Sequence, residues 1–184
     1  MKPRPIPEVL TPDEQARLLA HPSGIREQAI LRLFLDTGLR ASELINLQCH
    51  HIDWQSGRMK VRGKGGRDRM LWVSPEDLAL LKSLPSSASS GRPVFTSLDG
   101  QKPLCGRWLR KMVKRLGEQA GIKKNLHPHI FRHSFATDLL EKTKNLVLVQ
   151  RALGHSNIAT TTIYTHISNP ALEEALKNLR NGED

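Results

Sequence analysis

Between residues 58 and 73 the chain stops reading as helix. Residues 58–62 and 69–73 form two short β-type runs around Gly63-Lys64-Gly65-Gly66, a tetrad rich in the residue that enters positive φ without steric penalty. A single hairpin within an otherwise helical pattern sets the class. The expected fold is α+β, mostly α-helical with a small antiparallel β-sheet or hairpin.

The helical signals lie on both sides. Thr11 is placed to cap a helix that has Pro12 in its first turn and Asp13 and Glu14 at the positive end of its dipole. Residues 24–37 put Ile25, Ala29, Ile30, Leu33 and Phe34 on one stripe, a core-facing helix ended by Gly38. Ser42 is expected to cap a short helix over 43–47, and Ser74 a helix reaching about residue 84. A serine-rich loop follows over 85–93, then a third short strand over 94–96. Residues 104–120 make a basic amphipathic helix with Arg107, Arg110, Lys111, Lys114 and Arg115, closed by Gly121. Further helices are expected at about 129–141, 146–152, 159–166 and 170–180. No internal repeat or domain boundary interrupts the series, so residues 1–184 read as a single domain.

Twenty-eight Lys and Arg against eighteen Asp and Glu give a formal charge of +10. A polyphosphate partner accounts for such an excess, because each neutralised phosphate releases condensed counterions. Charge alone does not separate binding from cutting, and a merely solubilising basic surface is the alternative. No apolar run approaches the roughly 20 residues that span a bilayer, so no membrane partner is expected. Cys49 and Cys105 lie far apart without metal-ligand spacing, which favours buried thiols and the cytoplasm.

Tyr164 is the sole tyrosine in the chain. Alone in a basic chain, and following Leu153-Gly154-His155, it raises the question of a phenol used as a nucleophile. Taken by itself it reads better as a half-buried aromatic with a bonded hydroxyl. Three other islands bear on it. Thr37-Gly38-Leu39-Arg40-Ala41-Ser42-Glu43-Leu44 sets Arg40 at a helix-to-helix turn. The hairpin tip carries Lys64. His127-Pro128-His129-Ile130-Phe131-Arg132-His133 places His129 and Arg132 on one helical face, with Phe131 and Phe135 turned to the core.

Together these islands resemble the catalytic domain of the tyrosine recombinases, the family of phage lambda-type integrases, Xer-type chromosome resolvases and Cre. The arginine box matches 37–44. The hairpin lysine matches Gly63-Lys64-Gly65, followed by Arg67 and Arg69. The His-x-x-Arg box matches 129–132, and the Leu-Gly-His box with the nucleophile matches 153–164. The likeness runs from about residue 6 to 168, with the boxes in the family's order.

The resemblance implies the family's DNA breaking-and-rejoining fold and a site-specific recombinase that needs no metal, cofactor or ATP. Tyr164 would attack a phosphodiester of duplex DNA and become a 3′-phosphotyrosine. Arg40 and Arg132 would bracket the non-bridging oxygens, and Lys64 would protonate the leaving 5′-oxygen. His129 would handle the nucleophile's proton, His155 would bond a phosphate oxygen, and Glu43 would orient Arg40. Arg62, Arg67, Arg69, Arg107, Arg110, Lys111 and Lys114 are expected along the DNA. The resemblance also implies a homo-tetramer on paired sites, a monomer or weak oligomer off DNA, and residence in a bacterial cytoplasm or nucleoid, or a phage origin.

The chemistry stands on its own terms. Charge builds on the phosphate oxygens as the pentacoordinate state forms, and planar guanidinium forks match it best. A phenol near pKa ~10 is mostly neutral at physiological pH and needs a base or a cationic field. Each residue also has a plainer reading: Arg40 as a cap or surface ion pair, Glu43 as a solvated acid, Lys64 as a solvent-exposed turn residue. His127, His129 and His133 suggest a metal site, but no Asp, Glu or Cys accompanies them and Arg132 intrudes a cation. His133 then reads as structural, and His50-His51 as loop. Residues 153–164 also pass for a helix-turn-helix. The competing function is a DNA-binding regulator with the same fold and no strand exchange. A metal-dependent nuclease would require clustered carboxylates that the sequence lacks.

Two features depart from the family's pattern. Thr143 stands where glycine is common and Asn145 where an acid is usual, which bears on local geometry rather than chemistry. The family's N-terminal core-binding domain is absent from this chain, as in an excised fragment or a short natural form. The tail over 170–184 reads as an amphipathic helix, either exchanged with a neighbouring protomer or covering its own core.

Overall fold

Thr11 opens the first helix by a reciprocal pair of bonds. Its hydroxyl accepts from the Glu14 N–H (3.2 Å), and the Glu14 carboxylate accepts from the Thr11 N–H (2.8 Å). The computed structural model describes residues 7–63, 68–85, 91–97, 100 and 102–154. Helix α1 (Pro12–Leu19) leads to α2 (Ile25–Thr37) and the short α3 (Ala41–Ile45), then a 3-10 turn over Cys49–His51. The hairpin β1 (Arg58–Arg62) and β2 (Asp68–Trp72) follows, then α4 (Pro75–Lys82), α5 (Gly106–Gln119), α6 (Pro128–Thr143) and α7 (Leu146–Leu153). The architecture is α+β and mostly helical. Among the described residues the sheet has two antiparallel strands, with Arg58 opposite Trp72 and Arg62 opposite Asp68.

Helix α2 is the core's axis. Ala29, Ile30, Leu31, Leu33 and Phe34 are all buried, and Phe34 stacks on Phe131 of α6 with ring centroids 5.5 Å apart. Apolar residues on more than one face mark a helix covered from several sides, and α4 and α6 both pack on it. Helix α5 is one-sided instead. Leu109, Met112, Val113 and Leu116 are buried, while Arg107, Arg110, Lys111 and Lys114 are exposed. A second, smaller cluster of Ala136, Leu140, Val149 and Leu153 joins α6 to α7, with Phe135 against it.

Several boundaries fall differently from the sequence expectation. Helix α3 begins at Ala41 with Arg40 in the capping position, so Ser42 lies inside the helix rather than capping it. Strand β2 begins one residue early, because the Asp68 carboxylate pairs with Lys60 across the ladder (2.9 Å). The third strand over 94–96 does not form. Val94 donates to the Leu47 carbonyl (2.8 Å) and Leu104 donates to the Phe95 carbonyl (3.1 Å), isolated pairings with two different segments. Pro93 and Pro103 sit at those bridges and lack the N–H a continuous ladder needs. Asn145 gains a role: its side chain accepts from the Val147 and Leu148 N–H groups (3.0 and 3.1 Å) and caps α7. The helices expected at 159–166 and 170–180, and the tail, lie outside the described residues.

Gly38 ends α2 with φ +60°, in the left-handed region, and the Phe135 ring packs against its Cα. A methyl group there would sit inside van der Waals contact with that ring. Gly38→Ala is therefore expected to destabilise the fold by about 2–4 kcal/mol, the left-handed penalty adding to overpacking. Urea unfolding at neutral pH checks this, and an unchanged midpoint would refute the packing argument.

Candidate active site

The site grows from the N-terminus of α3. Arg40 sits there in extended backbone, and the Glu43 carboxylate folds back to accept from the Arg40 N–H (2.8 Å) and from Arg40 Nη1 (2.9 Å). The other side of the same carboxylate is taken by Arg69 of β2. Its Nη1 and Nη2 donate to Oε1 and Oε2 at 2.9 and 2.8 Å, a fork-to-fork pair. Arg69 Nε donates to the Ala152 carbonyl near the end of α7 (2.8 Å). Gly154 makes room for this arrangement, since a Cβ there would lie 3.0 Å from Arg69 Cδ.

Arg132 comes from α6 and is 5% exposed. Its Nη1 donates to the Gly38 carbonyl (2.7 Å) and its Nη2 to the Leu153 carbonyl (2.6 Å). The carbonyl it holds is two residues before Arg40, so both arginines are tied to one turn of backbone, and the fields of both reach His129. His129 precedes Arg132 by one helical turn. Burial pushes its imidazole below the ordinary value, and the positive fields of His127, Arg132 and Arg40 add to that. It is therefore neutral at physiological pH and able to accept a proton. The His127 and His129 rings lie 6.2 Å apart between centroids, and burial likewise lowers His133. Among the described residues no three His, Cys, Asp or Glu side chains form a metal-binding group.

Glu43 is 8% exposed yet ionised. Burial alone would raise its pKa, but the Arg69 bonds, the Arg40 amide and the Arg40 guanidinium outweigh it and hold the carboxyl at about 2. Beside Arg40 opens a cleft of about 680 Å³ walled by Glu43, Gln48, His50, His51, and Lys60 and Arg62 of β1.

The structure thus brings Arg40, Glu43, His129 and Arg132 into one neighbourhood. Lys64, Arg67, His155 and Tyr164 lie outside the described residues. Of the residues expected along DNA, Arg62, Arg107, Arg110, Lys111 and Lys114 are exposed. Arg69 has a different task, because its side chain is 8% exposed and its guanidinium is committed to Glu43 and Ala152. The signal was in the alternation of β2: Asp68, Met70 and Trp72 face solvent, so Arg69 and Leu71 turn inward. His50-His51, expected as loop, form part of a 3-10 turn that lines the cleft beside Arg40.

The model of the phage integrase family matches residues 8–170, and the chain belongs to that family. It is 41% identical over 171 residues to the tyrosine recombinase XerC of Xanthomonas campestris pv. campestris (strain B100), covering 90% of this chain and 53% of that protein. The chain therefore spans about half the length of this curated relative. Its structure superposes on crystalline XerA recombinase with a TM-score of 0.80 at 34% identity, covering 97% of this chain and 67% of that one. The XerH site-specific recombinase bound to difH substrate in a pre-cleavage complex gives 0.80 at 28% identity, with 96% and 55% covered.

The Glu43 carboxyl sits near 2 in the fold against an ordinary 4.5, so the folded state binds its proton less readily than the unfolded chain. Its stabilisation is complete above that ordinary value and lost as pH falls through it toward 2, on the order of 3 kcal/mol. In urea unfolding at stepped pH, Glu43→Gln is expected to lower stability at neutral pH by about 3–5 kcal/mol and to flatten the acid limb. An acid limb equally steep in the variant would show that Glu43 does not carry it.

Proposed function

We propose that this chain is the DNA-cleaving domain of a site-specific tyrosine recombinase. The observation that carries the reading is that Arg40 and Arg132 are both tied to one backbone turn by protein bonds, Arg40 through Glu43 and Arg132 through the Gly38 carbonyl. Two guanidiniums held so are preorganised for an anion whose charge grows in the transition state. Family membership, the +10 charge and the exposed basic face of α5 support DNA as that anion's source. XerH, similar at 28% identity, is a site-specific recombinase captured with its substrate.

In this reading the Tyr164 oxygen attacks the scissile phosphorus as its proton passes to His129. Arg40, Arg132 and His155 hold the non-bridging oxygens, and the bond to the 5′-oxygen breaks as Lys64 supplies that oxygen's proton. The product is a 3′-phosphotyrosine and a free 5′-hydroxyl. A 5′-hydroxyl from the partner strand then reverses the steps and releases Tyr164. The covalent ester keeps the phosphodiester energy, so rejoining requires no ATP, and the guanidinium pair supplies the positive charge a metal would bring. The working partners are duplex DNA and further copies of the chain, as a tetramer on paired sites with the 170–184 tail exchanged between protomers. The chain would act in a bacterial cytoplasm or nucleoid.

The test is incubation in EDTA with nicked suicide duplexes of randomised arm sequence, probing denaturing gels for a covalent protein–DNA adduct. Wild type is expected to form it and Tyr164→Phe none, with DNA affinity retained in the variant because the phenol contributes little electrostatically. Arg132→Lys is expected to reduce adduct yield about 100-fold or more, since a point charge cannot reproduce the fork. Adduct persisting in Tyr164→Phe, or none from wild type across the library, would refute the assignment.

A further inference from the structure

The cleft beside Arg40 is larger than one phosphate needs, and its far wall is built from groups the cleavage steps do not use. Among the described residues the charged groups lining the whole cleft are Arg40, Lys60 and Arg62 against Glu43, whose carboxylate is already occupied by Arg40 and Arg69. Lys60 and Arg62 themselves share Asp68 (2.9 and 4.0 Å), so their charge toward the cleft is partly offset. The wall also holds the His50–His51 pair, rings 4.4 Å apart edge to face. The orientation of His51 is set by the backbone: its Nδ1 accepts from the Gln48 N–H (3.3 Å). A ring nitrogen that accepts carries no proton, so the proton of the neutral ring resides on Nε2, which becomes a donor on a residue that lines the cleft. Burial, then the fields of His50, Arg62 and Lys60, keeps the ring in that neutral form.

We infer that this wall is a second phosphate subsite, in which His51 Nε2–H donates to the DNA backbone phosphate adjoining the one between Arg40 and Arg132. A neutral donor locked by a backbone N–H suits that place. It fixes the register of the strand without adding a charge that would compete with the arginines for the reacting phosphate. The inference rests on DNA being the substrate, but it is read by binding, so it stands or falls separately from cleavage.

Three substitutions separate the two ring nitrogens. His51→Gln keeps a donor near the Nε2 position and loses the acceptor for Gln48, His51→Asn does the reverse, and His51→Ala loses both. Affinity for a random-sequence duplex is measured by fluorescence anisotropy across a salt series, and stability by thermal melting. Wild type and His51→Gln are expected to bind alike, with His51→Asn and His51→Ala about tenfold weaker. Melting is expected to rank the other way, His51→Asn near wild type and His51→Gln lowered with His51→Ala. The slope of log Kd against log salt is expected to stay at the wild-type value in His51→Ala, because a neutral donor releases no counterion. Should a variant fail to fold, the ¹⁵N-imidazole spectrum of wild type serves: the His51 Nε2 signal is expected to move on adding duplex while that of His21 stays. Equal binding by wild type and His51→Ala, affinity that follows melting, a flattened salt slope, or an equal Nε2 shift with inorganic phosphate alone would each overturn the subsite. Absence of the covalent adduct in wild type that still shows this binding pattern would instead remove the recombinase reading and leave the subsite.

Discussion

One carboxylate organises the interior of this site. Glu43 receives the Arg40 amide, one arm of the Arg40 guanidinium and both arms of Arg69, in a position almost closed to water. Burying an ion pair gains stability only when geometry is good and the remaining lone pairs are filled, and here both oxygens of the carboxylate have donors. Arg40 remains 32% exposed on its side chain while anchored at its base, which is the condition for a cation that must meet a substrate without searching for it. Arg132 is fixed by a different device, two backbone carbonyls that define the plane of its fork.

The two devices differ in what they do to charge. Glu43 partly neutralises Arg40 and Arg69, so the net field near the cleft is smaller than the number of cations suggests. The carbonyls at Gly38 and Leu153 orient Arg132 without cancelling it. Arg132 lies deep, 5% exposed, and Arg40 nearer the solvent, 32% exposed on its side chain. The neutral His129 beside them suits a group that must take up a proton in a cationic field, because that field resists a second positive charge until a negative one arrives.

Much of this was legible in the chain, and what was legible was local. The Thr11 cap, the Ser74 cap, the Gly38 stop and the one-sided basic α5 depend on residues within a turn or two of each other, and all appear as read. Arg40, Glu43, His129 and Arg132 stand in contiguous boxes, so the sequence itself singles them out. The inward turn of Arg69 is harder to see because its partner Glu43 lies on α3, and within the strand only the alternation of β2 points to it. The strand over 94–96 was misread for a related reason: β propensity is a tertiary quantity, and the flanking Pro93 and Pro103 limited it to single bridges. His50-His51 looked like loop because a 3-10 turn of three residues leaves no periodic trace.

The tethering of α7 has a consequence for how the molecule is made. Arg69 reaches 83 residues along the chain to the Ala152 carbonyl, and Arg132 reaches 94 back to Gly38 and 21 forward to Leu153. Contacts of such separation are closed late, after local helices and the hairpin have formed. A nascent chain that has not yet released residues 152 and 153 from the ribosome holds Arg69 and Arg132 without the α7 carbonyls that complete their orientation. The α7 carbonyls thus emerge 83 and 21 residues after the side chains they hold, and both guanidiniums take up their final geometry only when translation has carried the chain past α7.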